Sequence, residues 1–339
     1  MLLDALLETH LGTRYSAAVV RVECGGRVAY ERAVGTLRAD GGGGVYVDTR
    51  FDLASITKVF VSTVALALVG RGLLALDAPL DDLMPEWRGT AHAAITLRMI
   101  LAHTAGFRSG ADYRTLFGEH VETFALHEPL VGVPGERVVY SDLGFLALGA
   151  VLARRMQTAL EPLVERELGV LGSERVSFAR GARHEAIPAT ERDAWRGLVQ
   201  GRVHDEKAAL AGGVAGHAGL FGAAREVARL GEWYLAARCG RSSPLPVELA
   251  LTATSEAAPD PVLRRGLGWA LKTNDGNSCG PLMSADTFGH TGFTGTCVWA
   301  DPQRDLNVVV LTNAVHYGRH DLRDVRAALC DAAVTMYAP

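Results

Sequence analysis

The apolar segment Val59–Val69 constrains this chain more than any other stretch. It is long enough for a buried helix and meets no Gly or Pro until Gly70 and Gly72, which suit a helix C-terminus. At its head stands Ser55-Ile56-Thr57-Lys58, preceded by Phe51-Asp52-Leu53-Ala54. A serine there lies where free backbone N–H groups and the helix dipole favour developing negative charge. A lysine three residues on shares its helix face. An amine beside a hydroxyl can take its proton once burial or a neighbouring cation lowers the amine pKa. Ser55-x-x-Lys58 therefore reads as an activated nucleophile. The bland alternative is a helix N-cap serine with a surface lysine.

With 339 residues, 48% hydrophobic and 21% charged, the chain has the length of roughly two domains and can bury a large core. A formal net charge of −4 gives no electrostatic case for nucleic acid or an anionic membrane as partner. Val59–Val69 is too short to span a bilayer. The opening Met1-Leu-Leu-Asp-Ala-Leu-Leu-Glu lacks the basic region and long apolar core of a signal peptide. Five scattered cysteines without a Cys-x-x-Cys pair fit free thiols in a reducing compartment. These features set a cytoplasmic expectation.

Along the chain, 2–12 reads as a short helix. Residues 17–23 and 27–33 read as a hairpin around Gly25-Gly26. Gly41–Gly44 reads as a flexible loop without the ending of a phosphate loop. From Thr96 to about Leu235 the pattern is mostly helical, with helices expected at 97–101 (N-cap Thr96), 145–160 and 223–237. Residues 174–213 read as a long loop. Strand character returns at 286–289, 296–300 and 307–312, before a terminal helix at 322–337. The expected architecture is an α/β unit built from both ends with a helical insert. Its division is an α/β part at 1–78 and 262–339 and a mainly helical part at 79–261.

Two further clusters carry chemistry. Tyr140-Ser141-Asp142 follows Pro134-Gly135 in a turn before the 145–160 helix. Beside a lysine ammonium a phenol is favoured in its charged form, so Tyr140 suits general base for the serine and general acid for a leaving group. The run His290-Thr291-Gly292-Phe293-Thr294-Gly295 borders a predicted strand. Its glycines admit close backbone approach, and an edge strand offers N–H groups to an oxyanion or extended substrate.

The ordered set Ser55-x-x-Lys58, Tyr140-Ser141-Asp142 and His290-Thr291-Gly292 resembles the serine β-lactamase and penicillin-binding protein superfamily, in its class C-like branch of esterases and D-stereospecific peptidases. Ile95–Arg98, His103–Gly106, Val203–Asp205, 212–221, Gly266–Trp269 and Leu311–Asn313 extend the likeness over nearly the whole chain. The resemblance implies a β-lactamase/transpeptidase-like α+β fold, an antiparallel sheet flanked by helices plus a helical subdomain. It implies that Ser55 is acylated, that Lys58 and Tyr140 share proton transfer, and that the N–H groups of Ser55 and Phe293 form the oxyanion hole. Asp142, His290, Thr291 and Gly292 would contact substrate. No cofactor or metal is implied, and the partner is a small ester, amide or peptide.

Two positions depart from the family pattern. Asp142 stands where an asparagine is usual; a carboxylate only accepts hydrogen bonds, and near Lys58 it favours the ammonium, shifting the base role to Tyr140. His290 stands where β-lactamases carry lysine; a mostly neutral imidazole anchors a substrate carboxylate less well than a fixed cation. Both push the reading toward esterase or amidase, with β-lactamase or D,D-carboxypeptidase as the alternative and a silent binder of peptidoglycan or β-lactam as a third. His204-Asp205 and His217 lack zinc-like helical spacing and read as loop hydrogen bonding or cleft lining. His103 reads as capping its helix or bonding backbone, and Trp269 and Trp299 as core.

Overall fold

Strand-forming sequence from both ends of the chain meets in one sheet. The computed structural model describes residues 2–178, 186–258, 260 and 264–338. Helix α1 (Leu2–His10) leads into the hairpin β1 (Ala17–Cys24) and β2 (Arg27–Arg38), turned at Gly25 and Gly26, whose φ values of 58° and 70° suit glycine. Next come β3 (Gly41–Gly44), β4 (Phe51–Asp52) and α2 (Ile56–Gly70). The middle of the chain supplies α3 (Leu97–Leu101), α4 (Val121–His127), α5 (Asp142–Met156), α6 (Leu160–Val170), β5 (Ser177–Phe178), β6 (Glu191–Asp193), β7 (Gly197–Val199) and α7 (Glu206–Leu210). It continues with β8 (Leu220–Gly222), α8 (Ala224–Arg238) and α9 (Val247–Ala253). The end supplies β9 (Ala270–Leu271), β10 (Phe288–Thr291), β11 (Cys297–Asp301), β12 (Leu306–Thr312) and α10 (Arg323–Tyr337).

The seven-stranded sheet runs β3-β2-β1-β12-β11-β10-β9, antiparallel at each pairing. β1 joins β12 in register Val20↔Val310, so the two chain ends are locked at mid-sheet. Side chains alternate across the pleat. Val20, Val22, Val308 and Val310 face α1 and α10, in a core with Leu3, Leu7, Val325 and Leu329. Val19, Val298, Val309 and Leu311 face the other way, into a larger core with α2, α5 and α8. Both faces are covered, which is why β12 reads as an unbroken apolar run.

α2 is buried from Ile56 through Leu66, as its composition requires. Gly41–Gly44 is not a free loop: it pairs with β2 as an edge strand. The stretch expected as a loop at 174–213 contains β5, the β6–β7 hairpin and α7, while 179–185 lie outside the described residues. The helix expected through Leu160 stops at Met156, where Gln157 turns left-handed with φ 50°, and α6 starts afresh. α8, placed by sequence in the helical part, packs against β1, β11 and β12. Asn307 fixes it there by donating to the Ala228 carbonyl at 2.7 Å. Among the described residues no helix is long and apolar enough to cross a membrane.

Candidate active site

Ser55 occupies the N-cap position of α2 but makes no side-chain capping bond. Its Oγ instead accepts from Lys58 Nζ at 3.0 Å. Ala54, the residue before it, is held at φ 47°, a conformation costly for a residue with a Cβ. Asp52 sustains that turn. One carboxylate oxygen accepts the Ala54 N–H at 2.8 Å, the other the His204 N–H at 2.6 Å. Burial raises the Asp52 pKa. Thr294 and Thr296 donate hydroxyls to the Asp52 and Leu53 carbonyls at 2.8 and 3.3 Å, tying the nucleophile turn to the segment after β10. This closeness demands Gly292: a Cβ there would lie 2.1 Å from Thr296 Oγ1 and 2.6 Å from the Leu53 carbonyl.

Lys58 is fully buried, yet its pKa is raised: desolvation opposes the ammonium, and the charges of Asp142 and Tyr140 outweigh it. Nζ lies 2.8 Å from Asp142 Oδ1 and donates to the His217 carbonyl at 3.3 Å. The Tyr140 ring centroid is 4.8 Å away. From Asp142 a chain of polar contacts continues. Lys207 Nζ bridges Asp142 at 3.2 Å and Asp205 at 3.1 Å, and His217 Nε2 donates to Asp205 at 2.8 Å. Asp205 also caps α7 by accepting the Ala208 N–H. Desolvation works against both carboxylates, but neighbouring Lys58, Lys207 and His217 hold them below the usual range. Asp142, Asp205 and His217 converge closely enough to suggest a metal cluster. The ammonium groups of Lys58 and Lys207 already balance its carboxylates.

Tyr140 faces Lys58 on one side of the site, with His103, His290 and Arg265 around it. The His103 ring packs 4.6 Å from Tyr140, and the Arg265 guanidinium 5.0 Å from its centroid. His103 Nδ1 accepts the Ser141 N–H at 3.0 Å, so the neutral ring carries its hydrogen on Nε2. His290 Nδ1 donates to the Thr291 carbonyl at 2.8 Å. Burial first, then Arg265 and Lys58, depress both imidazoles, His290 to about 3. Neither is a cation at neutral pH.

Ser55, Tyr140, Arg265, His290, Thr291, Gly292 and Phe293 share a cavity of about 710 Å³. The backbone N–H groups of Ser55 and Phe293 form no hydrogen bond among the described residues, and both residues line this cavity. Phe293 projects its ring, 56% exposed, against His204. His204 itself is held by Glu191 at 2.8 Å. The sequence-selected residues Ser55, Lys58, Tyr140, Asp142, His290, Thr291, Gly292 and Phe293 are thus brought to one place. Trp269 is core, T-stacked with Tyr234 and Phe288; Trp299, also buried, forms part of the cavity wall.

The model of the family described as Beta-lactamase matches residues 3–333. The chain belongs to the beta-lactamase family. As a beta-lactamase-family protein it is a hydrolase. It is 30% identical over 308 residues to an Escherichia coli K12 protein named "Putative D-alanyl-D-alanine carboxypeptidase", covering 79% of this chain and 70% of that one. It is 29% identical over 359 residues to the N-acetylmuramyl-L-alanine amidase of Bacillus subtilis 168, covering 92% of this chain and 80% of the other. Among solved structures, EstCE1, a hydrolase with promiscuous acyltransferase activity, superposes with a TM-score of 0.79 at 20% identity over 97% of both chains. A class C beta-lactamase from Rhodobacter sphaeroides gives 0.77 at 20% identity over 98% and 99%. These structures share the β-lactamase-type fold.

Against this family background, sequence reasoning missed Lys207, Arg265 and Glu191. Lys207 had a signal: it lies two residues from Asp205, at the start of a short helix. Arg265 adjoins the recognised Gly266–Trp269 segment, but nothing local marks a buried guanidinium.

Proposed function

We propose that this hydrolase cleaves a small ester, amide or D-amino-acid peptide through an acyl-enzyme on Ser55. The observation that carries the reading is the Ser55 hydroxyl: it leaves the helix cap unmade and accepts instead from Lys58 at 3.0 Å. Because Asp142 keeps Lys58 an ammonium, Lys58 is a hydrogen-bond donor and charge rather than the base. In our scheme Tyr140 acts as the phenolate, its Oη accepting the Ser55 proton as Oγ bonds to the substrate carbonyl carbon. The N–H groups of Ser55 and Phe293 hold the oxyanion, where loss of one such donor typically costs ~10²–10³ in kcat. Collapse breaks the bond to the leaving O or N, which takes a proton from Tyr140. Water then adds to the ester carbonyl by the same relay, releasing the acid and restoring Ser55.

Relatives named for D-alanyl-D-alanine carboxypeptidase and muramyl-alanine amidase activity support amide substrates; the EstCE1 likeness supports the fold alone. We also propose that the cleft lies between an α/β part and a mainly helical part. We also propose a reducing compartment, on the odd number of cysteines and the lack of a Cys-x-x-Cys pair.

The test is covalent labelling with a fluorophosphonate and, separately, penicillin, with adducts located by peptide mass spectrometry. Turnover of p-nitrophenyl esters, nitrocefin and D-alanyl amides follows, in wild type and Ser55→Ala. The expected result is an adduct on Ser55 and turnover lost in Ser55→Ala. A label on another residue, or undiminished turnover in Ser55→Ala, rejects the assignment.

A further inference from the structure

Phe293 can donate to an oxyanion only while its N–H points into the cavity, and that direction belongs to the whole Gly292–Phe293 peptide plane. The N–H itself makes no hydrogen bond among the described residues, so nothing on that side fixes it. The plane is held by its other end. The Gly292 carbonyl accepts from the Gly295 N–H at 3.1 Å and from the Arg326 guanidinium at 2.8 Å. Further ties on this loop are neutral. The Gly292 N–H donates to the Thr296 carbonyl at 2.8 Å, Thr294 Oγ1 to the Asp52 carbonyl at 2.8 Å and Thr312 Oγ1 to the Gly295 carbonyl at 3.0 Å. Arg326 stands in the first turn of α10, 8% exposed, beside the core residues Val325 and Leu329. It forms no ion pair among the described residues; Asp321, whose charge acts on it, pairs with Arg323 at 3.5 Å. Burial lowers the Arg326 pKa, but a guanidinium stays protonated. Burying that charge without a carboxylate is costly. What the charge maintains is a peptide plane at the edge of the reacting centre.

We infer that Arg326 is a positioning residue for the reaction: from behind the Gly292–Phe293 peptide it fixes and polarises the Phe293 N–H as an oxyanion donor. A hydrogen bond from a charged donor to the carbonyl is short and strong. Through peptide resonance it draws electron density from the nitrogen, so the N–H at the far end donates more strongly. A neutral tie orients the plane but polarises it less. Arg326 lines the cavity with Ser55 and Phe293, yet its hydrogen bond goes to backbone, and the role needs no contact with substrate. This role rests on the reading of Ser55 as nucleophile and of the Phe293 N–H as oxyanion donor.

The first test reads the peptide itself, by NMR. Glycine labelled at its carbonyl carbon, with phenylalanine labelled at nitrogen, selects the Gly–Phe peptides, of which the sequence has three: Gly106–Phe107, Gly144–Phe145 and Gly292–Phe293. Phe293→Leu identifies the third by its disappearance. In Arg326→Gln the Gly292 carbon and Phe293 nitrogen resonances should both move while the other two pairs stay in place; Arg326→Lys should move them less. The second test reads the acyl-enzyme by infrared spectroscopy, with an isotope-labelled acyl group delivered from a p-nitrophenyl ester. In Arg326→Gln the ester carbonyl stretch on Ser55 should rise toward that of a free ester. Acylation should slow ~10-fold, a part of the ~10²–10³ that loss of a whole donor costs. Arg326→Lys should recover part of each. A merely structural role lowers thermal stability but leaves the carbonyl stretch of the folded protein unchanged; that result, or an unmoved Gly292–Phe293 peptide, overturns the inference. If Arg326→Gln does not fold, Arg326→Lys decides by the same two readouts. A wild type that forms no ester on Ser55 rejects the nucleophile and the oxyanion role together; an ester whose stretch ignores Arg326 rejects the oxyanion role alone.

Discussion

Two flanks of Ser55 hold their charge in opposite ways. On one, Lys58, Asp142, Lys207 and Asp205 alternate in charge, and His217 hydrogen-bonds the last carboxylate. On the other, Arg265 forms no ion pair among the described residues, though Asp260 acts on it, and His103 and His290 are kept neutral. The closed flank fixes geometry and protonation, because moving any member strands another. The open flank is under-neutralised.

Tyr140 sits where the flanks meet, so its oxygen should matter most. Tyr140→Phe keeps the ring stacked between Lys58 and Arg265 but removes proton transfer. We expect kcat/KM to fall by ~10²–10⁴ with folding stability little changed. Steady-state kinetics with p-nitrophenyl esters, alongside thermal unfolding, measure both. Near-wild-type turnover would return the base role to Lys58 and dissolve the distinction between the flanks.

The flanks should also differ in what each lends to stability. Lys207→Met leaves Asp142 with Lys58 alone and Asp205 with His217 alone in a largely buried site, and removal of one partner from such a network should cost about 3 kcal/mol. Arg265→Met leaves no described anion unpaired and forfeits only an aromatic contact, so its cost should stay within about 1 kcal/mol. Denaturant unfolding of the two variants gives the comparison directly. Equal costs would mean that Arg265 has a structural partner after all, or that the Lys207 bridges are too solvated to count.

Long apolar runs made much of this legible from sequence. α2 and β12 announce themselves because burial on all sides needs continuous apolar sequence. β3, the β6–β7 hairpin and α7 did not, because elements of three to five residues exist through tertiary pairing rather than local preference. Ser55, Lys58 and Tyr140 were found from spacing and order. Asp142 was correctly read as holding Lys58 in its charged form, since that argument needs only proximity. The reading of His290 as a mostly neutral ring did not extend to the buried cation beside it, Arg265, which lines the same cavity. Arg265 is separated from His290 by 25 positions and from Tyr140 by 125, and no periodicity connects a guanidinium to an aromatic face across such distances. Likewise Glu191 and His204 meet only through the β6–β7 hairpin and its exit loop, which local sequence did not disclose.

The neutrality of the open flank can be tested by acid. The His290 pKa is about 3 in the folded chain, whereas an unfolded histidine titrates near ~6.5. Between those values the unfolded state binds a proton that the folded state refuses. Stability therefore falls as pH falls through this window, by up to ~1.4 kcal/mol per pH unit from this residue, and levels off below about 3, where the folded ring also protonates. His290→Gln removes that term. Its stability should decline less steeply than wild type between pH 6 and 4 by roughly that slope. His103 acts with the same sign, and the depressed carboxylates Asp142 and Asp205 add a further loss once the unfolded carboxylates begin to protonate, but these persist in both proteins and cancel in the difference. Urea unfolding at several pH values yields the two slopes. Parallel curves would show that His290 takes up its proton while folded, and the strand beside Ser55 would then supply a charge that leaves Arg265 less alone.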